Sequence, residues 1–416
     1  NKNGSATITL TLTDNGTPMP ALTATSSFVL TVVAVPDLTG TLTIASNLSG
    51  VASSYSANVY GRTMKFTGLT VDEALTTFEI CLGTAAGSCD VATWVEAVGY
   101  TTSGSAPTVT LGGTYTLKSA TGGAQTFTLT PSCGTTTNYY YSVRATNNSS
   151  RTSNVLSTPA WSFWEPTCLG AGTLSQWLDA SEPSTITIVT GVSNWTDKSG
   201  NARTVTQATT AKQPAYSASG LAAGYPGLTF NGASSSLMRA AFVYAQGASS
   251  IFTVIKATAS TGKYVFSEAR SVTTNNFYCP LVTSATNTIT GQITNDVATA
   301  VLASPTTSTP FFDGTIRIAM AEDTGSTYFT YSNGTAQSQA TTSYVRGTNT
   351  IDLYRLGSKL IKNVESAWFA GTIGEFIVTN GTLTTTQRQK LEGYSAHKWG
   401  VSANLPGAHP YLSAPP

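Results

Sequence analysis

Three features of the sequence predict an all-β protein. Charged residues make up 10% of the 416, against about 25% in an ordinary soluble domain, which leaves little of the Lys and Glu that favour exposed helix positions. Thr, Val, Ile, Tyr and Phe recur in short runs, and these residues suit a pleated, half-buried surface. Gly 37 and Pro 17 punctuate the chain and supply the backbone conformations that tight turns require. Tandem β-sandwiches with one short C-terminal helix are therefore expected.

Residues 1–37 read as a hairpin. Ala6-Thr-Ile-Thr-Leu-Thr-Leu-Thr13 alternates polar and apolar residues, Asp14-Asn-Gly-Thr-Pro18 is a turn cluster, and Phe28-Val-Leu-Thr-Val-Val-Ala-Val35 is a second strand stopped at Pro36-Asp37. Two strands alone are marginal in water. Either the rest of a repeat lies upstream of Asn1, or the hairpin completes another chain's sheet. The chain has no initiator Met, no signal-peptide pattern and a strand pattern already under way at its start, so it is expected to be the C-terminal part of something longer.

Residues 38–166 carry shorter patterns: Thr41-Leu-Thr-Ile44, Met64-Lys-Phe66, Thr77-Phe-Glu-Ile80, Thr108-Val-Thr-Leu111, Gln125-Thr-Phe-Thr-Leu129 and Tyr139-Tyr-Tyr-Ser-Val-Arg-Ala145. Turn residues separate them at the spacing of a sandwich. Residues 167–416 continue with Gln176-Trp-Leu-Asp-Ala-Ser181, Val192-Ser-Asn-Trp-Thr-Asp-Lys-Ser-Gly-Asn201 and Leu228-Thr-Phe-Asn-Gly232. Tyr328-Phe-Thr-Tyr-Ser-Asn-Gly-Thr335 then runs into Asn333-Gly334, a strong hairpin signal because both turn residues accept positive φ. Leu353-Tyr-Arg-Leu-Gly357 and Phe369-Ala-Gly-Thr-Ile-Gly-Glu-Phe-Ile-Val378 are the last strands.

One helix is predicted, over residues 383–400. Thr384, Thr385 or Thr386 can cap its start, and Leu391, Tyr394, Ala396 and Trp399 can anchor it on the sandwich. Gly400 sits where a left-handed residue ends a helix. Arg388, Lys390 and Lys398 are expected on a solvated face.

These motifs carry resemblances. The hairpin resembles the end of the cadherin-like or immunoglobulin-like repeats of bacterial adhesins. The stretch from Phe78 to Cys89, with Trp94, Tyr140-Tyr-Ser-Val-Arg-Ala-Thr-Asn147 and Ser153-Asn-Val155, resembles the C, F and G strands of fibronectin type III-like modules. Residues 167–416 resemble the concanavalin A-like lectin/glucanase jelly rolls of the laminin-G-like kind, found on large bacterial surface proteins and phage fibres. The resemblance implies an extracellular, cell-surface or virion-surface location. It also implies that Asp197-Lys-Ser-Gly-Asn201 lies where some relatives hold calcium, making Asp197 and Asn201 the candidate ligands; calcium wants six to eight oxygens, and an Asx-turn closed on its own backbone explains the same residues. No other cofactor is implied.

Five cysteines suit an oxidising compartment. Cys81 and Cys89 bracket a seven-residue Gly-rich loop and are the first expected disulfide; Cys133 and Cys168 are the second, with Cys279 a buried thiol. The alternative is five reduced small hydrophobes.

Several functions are disfavoured. A net charge of +1 provides no field for nucleic acid or anionic lipid. No apolar run approaches the eighteen or so residues of a membrane helix. The only histidines, His397 and His409, are too few for His-rich metal sites and poorly suited to a triad. A retaining glycosidase needs two nearby carboxylates on one face, and no Glu-x-Asp-x-x-Glu stretch occurs; Glu375, Asp352 and Glu322-Asp323 are separate, and an isolated strand carboxylate is ordinarily structural. The aromatic cluster Trp161-Ser-Phe-Trp164 is either a sugar-stacking platform or interdomain packing. An adhesin or fibre protein binding a surface glycan or cell-surface receptor is the first expectation, not an enzyme. The alternative is a structural subunit self-assembling into a layer, filament, sheath or virion decoration; a polysaccharide hydrolase ranks third.

Overall fold

The protein is described by a computed structural model covering residues 4–13, 23–32, 38–44, 64–71, 75–90, 92–98, 114–117, 138–147, 150–157, 161–162, 164–170, 172–240, 248–258, 263–271, 277–283, 289–294, 300–303, 311–325, 327–337, 351–361, 364–413 and 416. Strands dominate these residues, and the only α-helix among them is near the C-terminus. The turn expected at residues 14–18, the strands expected at 108–111 and 125–129, and Cys133 lie outside the described residues. Two units emerge, one within residues 1–161 and one containing residues 162–416.

The first unit opens with β1 (Gly4–Thr13) and β2 (Thr23–Val32), an antiparallel pair whose ladder runs without a bulge. Strand β2 begins five residues before the position expected from the apolar run, because residues 23–27 continue the backbone ladder opposite residues 9–13. Directly opposed residues share a face. Ala6 opposes Leu30, Ile8 opposes Phe28 and Leu10 opposes Ser26, whereas Thr7, Thr9 and Thr11 oppose Val29, Ser27 and Thr25. One face is thus mainly apolar and the other mainly hydroxylated. Leu10, Leu12, Phe28 and Leu30 remain 62%, 77%, 51% and 51% exposed.

The remaining strands of this unit are β3 (Leu38–Ile44), β4 (Met64–Val71), β5 (Leu75–Gly83), β6 (Ala92–Val98), β7 (Thr114–Leu117), β8 (Asn138–Asn147), β9 (Leu156–Ser157) and β10 (Trp161–Ser162). They run in the order β10-β8-β5-β6-β7-β4-β3, with β9 also on β8. Cys81 and Val143 are fully buried on the β5–β8 pair. Cys81 is bonded to Cys89 across a Cα separation of 5.4 Å. The loop between them is braced by Asp90, whose carboxylate accepts from Thr84 N at 2.9 Å and Ser88 Oγ at 2.6 Å.

The second unit contains β11 (Leu174–Asp179), β12 (Ile186–Ile188), β13 (Val192–Trp195), β14 (Val205–Thr206), β15 (Ala215–Ala222), β16 (Tyr225–Asn231), β17 (Leu237–Ala240), β18 (Ser249–Thr258), β19 (Tyr264–Ala269), β20 (Phe277–Thr283), β21 (Ile289–Thr294), β22 (Ala300–Ala303), β23 (Asp313–Asp323), β24 (Tyr328–Ser332), β25 (Thr335–Ala336), β26 (Leu353–Leu356), β27 (Lys359–Ile361), β28 (Val364–Ser366) and β29 (Ala370–Asn380). One sheet runs β15-β16-β29-β18-β23-β24-β25, with β11 also on β29; the other runs β12-β13-β14-β17-β26-β19-β20-β21-β22.

The two sheets face one another across an aromatic core. Phe266 of β19 lies 5.5 Å from Phe376 of β29, and the Tyr354 ring is 4.9 Å from Phe266. Ser249 and Tyr278 hydrogen-bond across the gap at 2.9 Å. Asn333 and Gly334 take φ of +48° and +78°, the mirror-image turn that joins twisted strands. Helix α1 (Thr385–Lys398) starts with a capping box: Gln387 N donates to Thr384 Oγ1 at 3.2 Å, and Thr384 N donates to Gln387 Oε1 at 3.0 Å. Its end is a Schellman turn, with Gly400 at φ +68° and Val401 N donating to Ala396 O at 2.8 Å.

Candidate functional site

Among the described residues, a dense cluster of buried ionisable side chains lies beneath α1. Strand β29 is shared along one edge by β16 and then β11, so Asp179 at the end of β11 falls directly opposite Glu375. Cross-strand partners point to the same face, and this places two carboxylates side by side. Glu375 Oε1 accepts from Trp177 Nε1 at 2.8 Å, Tyr394 OH at 2.9 Å and Lys398 Nζ at 2.8 Å. Its Oε2 accepts from Trp399 Nε1 at 2.8 Å. Asp179 Oδ2 accepts from Lys198 Nζ at 2.8 Å and Lys398 Nζ at 2.9 Å, while Oδ1 takes Ser181 N at 3.0 Å.

Two ammoniums therefore balance two carboxylates inside a box of Trp177, Tyr394 and Trp399 rings. Lys398 Nζ is 5.1 Å from the Tyr394 ring and 5.3 Å from the Trp399 ring; Lys198 Nζ is 3.9 Å from the Trp177 ring. Such contacts strengthen when desolvated. Burial alone would raise the Asp179 pKa, but Lys198 and Lys398 outweigh it and hold the carboxyl well below the usual range. Burial likewise works against the Lys398 charge, and Asp179 with Glu375 outweighs it, raising its pKa. Glu165 borders the cluster and is pushed upward by burial, opposed by the Thr167 hydroxyl and both lysines.

The facing carboxylates meet one requirement of a glycosidase and fail the others. Both carboxylates are occupied by N–H and O–H donors of the protein itself, and the side chains are 3% and 0% exposed, so neither faces a substrate-sized opening. The arrangement serves as a clamp that fastens α1 to the sandwich.

The same helix overturns one expectation. Lys398 does not lie on a solvated face, because its chain turns inward to neutralise two buried acids; Arg388 pairs with Glu392 at 2.9 Å and lies 4.2 Å from the Tyr331 ring. The buried Glu392 also meets His409 Nε2 at 3.1 Å, tying the tail to the helix. Trp164 is buried and packs edge-on to Tyr394 at 5.8 Å, so it offers no sugar platform; the side chains of Trp161 and Phe163 lie outside the described residues.

The turn containing Asp197 and Asn201 closes on backbone. Asp197 Oδ1 accepts from Trp177 N and Ser199 N, each at 2.9 Å; its Oδ2 accepts from Ser199 Oγ and Arg203 N, each at 2.8 Å. Asn201 Nδ2 donates to Leu174 O at 3.0 Å and Ser175 O at 3.1 Å. A carboxylate whose lone pairs are filled by donors does not fit calcium, which needs them free. Among the described residues, no group of three or more His, Cys, Asp or Glu side chains is placed to hold a metal ion. No described helix is long and apolar enough to cross a membrane. Cys168 is disulfide-bonded, and Cys279 is a buried thiol whose pKa burial pushes far upward.

The Glu375 site was missed as a pair because its partner, Asp179, is distant in sequence. Its visible signals were Trp-Leu-Asp at residues 177–179 and the buried strand around Glu375.

No protein-family model matches the chain, and no curated protein matches it. Among solved structures, it is similar to domain 4 of the extracellular GH43 arabinanase AbnA from Geobacillus stearothermophilus, in complex with arabinotriose. The identity is 16% over 51% of this chain and 95% of that one, with a TM-score of 0.39. It is also similar to the Ruminococcus gnavus IT-sialidase CBM40 bound to α2,3-sialyllactose, at 12% identity over 34% and 80% of the chains and a TM-score of 0.29. A third is the binding domain of Paraclostridial Mosquitocidal Protein 1, at 11% identity over 53% and 52% and a TM-score of 0.39. Similarity at this level transfers no activity to this chain.

Proposed function

We propose that the chain is part of an extracellular surface or fibre protein whose C-terminal lectin-like sandwich binds glycan without cleaving it. The observation that carries this reading is the sealed Asp179–Glu375 pair: the facing acids on this sandwich are neutralised by Lys198 and Lys398 and covered by α1. The laminin-G-like motifs supply the recognition class, while the disulfide at Cys81–Cys89 and the low charge content suit an extracellular setting. Electrophoresis of the full chain through gels containing individual polysaccharides tests it. Retarded migration in at least one, with no reducing ends released, is the expected result; unretarded migration in all of them, or release of reducing ends, counts against it.

A structural reading is favoured by a different observation, the uncovered apolar face of the β1–β2 hairpin. It makes the chain an assembly subunit in which sandwiches act as blocks.

A further inference from the structure

We infer that the β1–β2 hairpin is a self-association surface whose partner is the same hairpin in a second copy of this chain. Leu10, Leu12, Phe28 and Leu30 share one exposed face of a ten-row ladder. Exposed apolar side chains clustered on one face mark an interaction site when they form a contiguous patch.

The distribution of bulk along that face selects the occupant. Large residues lie in the C-terminal half of each strand, at Leu10 and Leu12 of β1 and at Phe28 and Leu30 of β2. Opposite Leu10 stands Ser26, and opposite Leu30 stands Ala6. A two-fold axis lying between two such faces, perpendicular to the strands and through the Ile8–Phe28 row, sets Leu10 of one copy over Ala6 of the other. The same rotation sets Leu30 over Ser26 and brings Leu12 to the row of Gly4, which has no side chain. Large therefore meets small at each of these positions, as interdigitating layers require, and Ile8 and Phe28 meet their own counterparts at the axis. A surface complementary to itself in this way forms the closed, two-fold kind of interface.

Charge does not oppose the pairing. Neither strand contains a charged residue, so stacking the two faces buries no charge and sets no like charges against each other. An uncharged face also lacks the pattern that would select a charged partner. One hairpin face is small beside the roughly 1,200 Å² at which specific interfaces begin, so the dimer is reversible and concentration-dependent. Glycan binding by the second unit neither requires nor precludes it.

Sedimentation equilibrium of the full chain over a dilution series tests the inference. The wild type is expected to dimerise reversibly, Leu10→Lys to raise the dimer Kd by about tenfold or more, and Thr9→Lys, on the opposite face, to leave it unchanged. Ile8→Cys, at the axis, is expected to cross-link two chains with a short bis-maleimide, and Thr9→Cys is not; this arm remains informative if Leu10→Lys disturbs the hairpin. A wild type that stays monomeric, a dimer indifferent to Leu10→Lys in an intact hairpin, or equal cross-linking at positions 8 and 9 would overturn it.

Discussion

Asp179 and Glu375 stand opposite one another on adjacent strands and share a single ammonium, that of Lys398, at 2.9 and 2.8 Å. The helix that carries Lys398 is therefore held by charge as well as by the packing of Leu391, Tyr394 and Trp399, all fully buried. Both acids face that one lysine.

Replacing that lysine leaves two buried carboxylates with one remaining cation. Breaking a buried pair by removing one partner costs about 3–5 kcal/mol, so Lys398→Met is expected to lose stability of that order despite its similar length. Guanidinium unfolding followed by tryptophan fluorescence checks this, since Trp177 and Trp399 both donate to Glu375.

The pH dependence has two limbs. Asp179 is held below its ordinary pKa of 3.8 by Lys198 and Lys398 against the effect of burial, so its contribution is complete above that value and declines as pH falls beneath it. Lys398 is raised above 10.5 by Asp179 and Glu375, again against burial; its contribution is complete below 10.5 and is lost as pH rises through the folded value. Glu165 and Glu322, raised above 4.5 by burial, act oppositely, and stability falls as pH climbs from 4.5 through their folded values. Urea titrations at stepped pH are expected to show a shallower acid limb in Asp179→Asn and a shallower alkaline limb in Lys398→Met.

Two glycines separate backbone strain from collision. Gly381 has φ +78° with nothing within 4 Å of an added Cβ, whereas Gly357 has φ +90° and a Cβ there would lie 2.3 Å from Phe230 Cδ1. Gly381→Ala is expected to cost about 1–2 kcal/mol, the left-handed penalty alone. Gly357→Ala adds overpacking of about 1–3 kcal/mol, and the difference between their denaturant midpoints measures it.

Asp197 accepts three backbone N–H groups and one hydroxyl. Asp197→Ala leaves those donors unsatisfied, at about 1–3 kcal/mol for each buried group, and thermal unfolding is expected to move down accordingly. Adding calcium or a chelator is expected to leave the wild-type melting temperature unchanged; a calcium-dependent rise would contradict the donor-filled turn.

Local chemistry made much of the fold legible in the sequence. Asn333-Gly334 marked its hairpin through the φ values such a turn demands, and Thr384 with Gly400 bracketed the helix through its unsatisfied end groups. The alternation in Ala6–Thr13 announced a two-faced strand. What was not legible depended on register between distant strands. Nothing near Glu375 in sequence points to Asp179, because their meeting follows from β11 and β16 dividing one edge of β29. Lys398 looked solvated because isolated lysines usually are, and only the assembled acid pair reverses that default.

A glycan array probed with the full chain, with and without chelator, tests the central claim most directly. Selective binding to one class of glycan, unchanged by chelator, is the predicted result. Absence of binding to any glycan at high protein concentration would contradict it.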